Sequence, residues 1–180
     1  MSLDQSSIEC ENVRREGWRR RRSIDRSHRD VAAMARAPRL PALSLPQPWA
    51  GLVASGVCPL INQGWPISYR GGVLIHASEE MDDMTLRRLG GHRHPIADAP
   101  STIEVSATML HRGGLVGAAR IASCVRTYES GWFAGPFGVV FANACELPFT
   151  PCRGGVGLFD VAREEPGLVV EMILADLRAN

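Results

Sequence analysis

The chain has no lysine: all twenty of its basic residues are arginine, and against nineteen acids they leave a formal net charge of +1. Without lysine there is no side-chain amine for catalysis and no phosphate loop of the Gly-x-x-x-x-Gly-Lys type. A Gly-x-Ser-x-Gly nucleophile turn is missing as well. No apolar run approaches the ~18 residues of a membrane-spanning helix. The N-terminus also lacks the apolar centre of a secretory signal, since Val31 to Ala35 is short and Arg36 follows at once. The expectation is a cytoplasmic protein with no membrane partner. Cysteines number five (Cys10, Cys58, Cys124, Cys145, Cys152), an odd count without a Cys-x-x-Cys pair, which argues against a disulfide framework and a structural zinc site. His92, His94 and His111 have no ligand spacing that fixes a metal geometry. Neither metal nor cofactor is expected.

What charge there is lies unevenly. Residues 1–40 hold ten arginines and six acids, including the run Arg19-Arg20-Arg21-Arg22, whereas residues 41–180 hold ten arginines and thirteen acids. The first segment is too polar to bury a core and reads as a disordered, arginine-rich extension. It is either a nucleic-acid-binding arm or a solvated tail upstream of an alternative start at Met34. The remainder is mildly acidic, so binding to a nucleic-acid polymer would require its arginines to gather on one face.

With 180 residues and 45% apolar content, one core is the expectation. Ala42 to Leu45 reads as a strand. Pro48 suits the first turn of a helix carrying Trp49, Leu52 and Val53 inward, and Gly56 suits its left-handed close. Gly71 to Ala77 alternates as a strand, with Val73, Ile75 and Ala77 on one face and Leu74 and His76 on the other. Glu79 to Leu89 reads as an exposed helix with acids first and Arg87 and Arg88 last. Residues 90–113 form a long excursion with one short strand near Thr102 to Ser106. Leu115 to Val125 is the best central strand, and its Gly117, Ala118, Ala119 and Ala122 permit close backbone approach. Phe137 to Ala142 and Val156 to Phe159 supply further strands. Past Pro166, Leu168, Val169, Met172, Ile173 and Leu177 repeat at helical spacing.

Four separated segments combine an aromatic or arginine side chain with a glycine or proline beside a strand: Gln47-Pro48-Trp49-Ala50, Tyr69 to Ala77, Trp132 to Val140 and Pro151 to Phe159. Such combinations build walls for flat polar ligands. Their order resembles the ASCH domain, a small β-barrel of the PUA-like superfamily, over about Ala42 to Phe159. The resemblance implies an α+β fold: a barrel at residues 42–160 with flanking helices, residues 1–40 as the extension and residues 161–180 as a C-terminal helix on the barrel. It further implies binding of RNA or a nucleotide-like small molecule, and a few relatives are amidohydrolases on acylated cytidine or nucleases.

Where the family's amidohydrolases carry lysine and glutamate, this chain has Cys58 and Ile61, so proton-transfer capacity is lost there and no catalytic residue is assigned. Cys58 before Pro59 reads as a buried hydrophobe. The expected ligand-binding residues are Trp49, Trp65, Arg70, Trp132 and Arg153. Trp132 lies between glycines and either swings to stack on a base or plugs the barrel end; Trp49 and Trp65 are core or pocket wall; Arg70 and Arg153 offer planar forks to anions or pair with acids such as Glu104 and Glu146. His76 reads as a hydrogen-bonded histidine rather than a base. The alternatives are an amidohydrolase or nuclease with His76 or Glu104 as its acid and base, and a protein-interaction module using the C-terminal helix.

Overall fold

The computed structural model describes residues 41–161; the expected basic extension and the helix expected after Pro166 lie outside the described residues. Within them the fold is mixed α+β: β1 (Pro41–Gln47), α1 (Trp49–Ala54), β2 (Leu60–Gln63), β3 (Gly71–Met81), α2 (Asp83–Gly90), a 3-10 turn (Ala107–Met109), β4 (Gly114–Val125), β5 (Phe137–Pro151) and β6 (Leu158–Asp160). One six-stranded sheet runs in the order β2-β5-β4-β3-β1-β6. Every neighbouring pair is antiparallel except β1 and β3. Parallel neighbours need a crossover, and here it consists of α1, β2 and the loop leading into β3.

The alternation expected in β3 is what sorts the core. Val73, Ile75 and Ala77 face the larger apolar cluster with Leu52, Val53, Val116, Ile121 and Val139, while Leu74 faces a smaller one with Ala42, Leu115, Ala118 and Cys152. Both faces of β3 are therefore covered, and each fully buried leucine, isoleucine or valine contributes about 1.5–3 kcal/mol of transfer free energy. α1 is only six residues long and all but its first are buried. It lies directly on β4, because a Cβ at Gly117 would fall against Ala54 and 2.7 Å from the Cys145 carbonyl oxygen. The small residues of β4 thus let helix and strand backbones approach. Gly56 closes the helix at φ +73°, in the left-handed region expected of it.

Three expectations need correction. Glu79, Glu80 and Met81 belong to β3, not to the following helix, because the parallel ladder continues to the pair Gln47 and Met81. The helix starts only after Asp82, whose side chain accepts from the Thr85 N–H. Thr102 to Ser106 makes no ladder; the excursion instead carries an isolated bridge between Arg93 and Pro100. β5 continues well past Ala142 to Pro151. It does so through register shifts against β4, one of which seats Asn143 at φ 50°, a conformation that asparagine tolerates better than most residues. β2 was not foreseen at all, since four residues are too few to show a period.

Gln47, in the first of the four motifs, is fully buried. Its Nε2 donates to the carbonyls of Thr108 (2.7 Å) and His111 (2.6 Å), and its Oε1 accepts from the Gly51 N–H (3.0 Å). Its backbone carbonyl accepts from the Asp82 N–H at 2.6 Å. Two carbonyls can only accept and an N–H can only donate, so these partners fix which end of the amide is which. Gln47→Leu removes the partner of one buried N–H and two part-buried carbonyls, at about 1–3 kcal/mol for each group left unpaired. The expected outcome is a loss of about 3 kcal/mol or more in urea unfolding; a loss below about 1 kcal/mol would show that the three bonds are not what holds the excursion down.

Candidate functional site

β2 and β6 are opposite ends of the strand order, yet Gln63 of β2 and Leu158 of β6 line one cleft. Leu43, the segment Trp65–Tyr69 and Gly157 complete its wall, around a volume of about 250 Å³. The sheet is thus curled enough for residues of both edges to face one space. The segment between β2 and β3 is braced by its own bonds. Arg70 Nη1 donates to the carbonyls of Ile67 (2.6 Å) and Tyr69 (2.7 Å), and the Tyr69 hydroxyl donates to the Gly72 carbonyl (2.8 Å). Ile67 and Tyr69 also pack against the larger core cluster. Trp65, two residues before the braced Ile67, is left 66% exposed and presents a flat apolar face beside the cleft.

Of the five expected binding residues, Trp65 lines the cleft and Arg70 follows its last loop residue; Trp49, Trp132 and Arg153 are not among the residues lining it. Trp49 donates its indole N–H to Asp82 Oδ2 (3.0 Å), tying α1 to the start of α2. Trp132, expected either to swing and stack on a base or to plug the barrel end, lies in a loop with defined hydrogen-bond partners. Asn62 Nδ2 donates to the Trp132 carbonyl (2.8 Å), while Asn62 Oδ1 accepts from the N–H groups of Ala134 (2.8 Å) and Gly135 (3.2 Å). The Trp132 ring meets His94 edge-on at 4.3 Å. Asn62 is thus a clamp for this loop, and the residue's only sequence signal was its place after a short apolar pair. Arg153 is exposed, beside a glycine whose Cβ would run into His76.

Of the groups weighed for acid-base chemistry, Cys58 and His76 are turned inward, while Glu104 is exposed. Cys58 is buried, donates to the Leu60 carbonyl (2.9 Å) and has its thiol pushed up by burial to about 12, so it supplies no thiolate at neutral pH. Ile61 is part of the core. His76 is buried with Nε2 3.2 Å from the Cys152 carbonyl and Nδ1 3.1 Å from Ser44 Oγ. A carbonyl only accepts, so Nε2 carries the proton and Nδ1 accepts from Ser44. Burial lowers the His76 pKa, against smaller raising effects of the Cys152 carbonyl and the Glu79 charge. Asp82 shows the opposite balance: burial pushes its carboxyl up, but the Thr85 N–H, the Trp49 indole, the Thr85 hydroxyl and the Met84 N–H together hold it below the ordinary range. His94 Nδ1 accepts from the N–H groups of Ile96 (3.2 Å) and Ala97 (3.0 Å), and Glu104 is exposed.

No protein-family model matches the chain, and a search of curated proteins finds no match.

A histidine whose pKa is lower folded than unfolded contributes stability that is complete above its ordinary value and lost as pH falls below it. For His76 that ordinary value is 6.5. The melting temperature is therefore expected to fall on acidification from pH 7.5 to 5.5, and His76→Gln, which keeps a donor and an acceptor, to flatten that fall. An unchanged slope in the variant would place the pH sensitivity elsewhere, with His94, whose pKa burial also lowers, as the remaining histidine to test.

Proposed function

We propose that the curled sheet is the PUA-like barrel of an ASCH domain and that the chain binds RNA or a nucleotide-like ligand in the cleft between β2 and β6. The observation that carries this reading is the exposed Trp65 indole, held over a cleft on a loop with its own hydrogen bonds. A base stacked on such a face gains ~1–3 kcal/mol whatever its identity. Arg70 stands next to it, exposed, with Nη1 committed to loop carbonyls, so the rest of its guanidinium is a rim group for an anion.

The amidohydrolase and nuclease readings find less support. Cys58 is a buried thiol held at about 12, His76 is a buried imidazole with both nitrogens hydrogen-bonded, and neither these two nor the exposed carboxylate Glu104 is among the residues lining the cleft. The interaction module built on the C-terminal helix rests on residues outside those described.

Nucleoside monophosphates and short single-stranded RNA titrated into the protein should show saturable binding. Trp65→Ala is expected to weaken it by roughly 5- to 150-fold with the melting temperature nearly unchanged, since an exposed ring leaves no cavity. Binding that is indifferent to Trp65→Ala would remove the cleft from the account.

A further inference from the structure

Resting on that reading, we propose that the cleft takes an uncharged, base-sized ring and that Gln63 selects it, by pairing its side-chain amide with neighbouring donor and acceptor groups on the ring edge. Size is the first constraint. About 250 Å³ is below the ~300–1,000 Å³ of pockets that hold drug-sized ligands, so one ring system fits and a dinucleotide does not.

Charge is the second. None of the described residues lining the cleft is an acid, an arginine or a histidine, and the one phenol among them, Tyr69, has its hydroxyl on the Gly72 carbonyl. A phosphate inside the cleft would lose water without meeting a cation. At the rim it would meet Arg70, which is exposed, and an exposed contact of that kind changes affinity by no more than about fivefold.

The third is the polar equipment that remains. Among the described residues lining the cleft, Gln63 is the only side-chain amide, and it is half-buried. Its amide sets a donor and an acceptor side by side, the arrangement that pairs bidentately with a ring edge. Its backbone is set by the ladder, paired with Phe137, and the preceding Asn62 clamps the Trp132 loop, so the amide projects from a rigid element. Because the amide can turn over, it accepts both orders of donor and acceptor and rejects rings whose edge is blocked. Trp65 would take the face of the ring and Gln63 its edge.

The test uses the full chain and three probes by calorimetry: uridine, uridine monophosphate and 3-methyluridine, whose edge donor is blocked; uridine and 3-methyluridine are then repeated on Gln63→Leu. The proposal expects uridine and its monophosphate to bind within about fivefold of one another with little salt dependence. It expects 3-methyluridine to bind at least tenfold more weakly, and that gap to close in Gln63→Leu. Should the variant fail to fold, the gap between uridine and 3-methyluridine on the unaltered protein still decides the matter. A monophosphate much more than fivefold tighter with a steep salt slope, or equal binding of the methylated ring, overturns the proposal while leaving a Trp65-dependent cleft in place. Failure of every probe to bind overturns the nucleotide-cleft reading itself.

Discussion

The side chain of Gln47 is the constraint on which the rest of the structure depends. A fully buried primary amide would be costly if any of its bonds were missing; this one is matched to two carbonyls of the excursion and one N–H of α1. Its own carbonyl takes the Asp82 N–H. Three parts of the chain that are distant in sequence therefore meet at one residue: the junction of β1 and α1, the capping residue of α2, and the turn at Thr108 to His111. Gly51 completes the junction by lying so close to Met109 that a Cβ there would be 2.7 Å from its Cα. Polar satisfaction and steric fit specify the same arrangement, as expected of a sequence with one structure.

From that junction β1 runs back toward the cleft. Its parallel pairing with β3 and antiparallel pairing with β6 place Leu43 in the cleft wall and position Leu158 at the sheet's edge. The parallel pairing also requires a crossover, and the crossover delivers β2 to the opposite edge together with the braced loop that carries Trp65. The cleft is thus a consequence of topology: both edges of the sheet come to it, and the connection that links β1 to β3 supplies its aromatic face. Arginine matters here less as a field of charge than as a brace, since Arg70 holds its own loop through the Ile67 and Tyr69 carbonyls.

Much of the frame was legible from periodicity. The two faces of β3, the short helix after Pro48 and the small-residue strand β4 all rest on patterns long enough to have a period, and the structure places Val73, Leu74 and Gly117 accordingly. The end of β3 was not legible, because acids at Glu79 and Glu80 look like a helix N-terminus, and only the distant ladder partner Gln47 decides for strand. Of the residues singled out in the sequence, Trp65 lines the candidate cleft, but a clamp such as Asn62 looks like any loop asparagine until its partners seventy residues away are known. For the same reason Trp132 looked free between glycines, and Gln47, the most constrained residue of its motif, was overshadowed by the tryptophan beside it.

The central claim is one of location: ligand enters the cleft between β2 and β6, not the Trp132 or Arg153 loops. Backbone amide shifts followed by NMR during a uridine titration test this most directly. The account predicts the largest changes at Gln63 to Tyr69 and at Gly157 and Leu158, with the amides around Trp132 and Arg153 nearly still. Changes concentrated around Trp132 or Arg153, with the Trp65 loop silent, would contradict it.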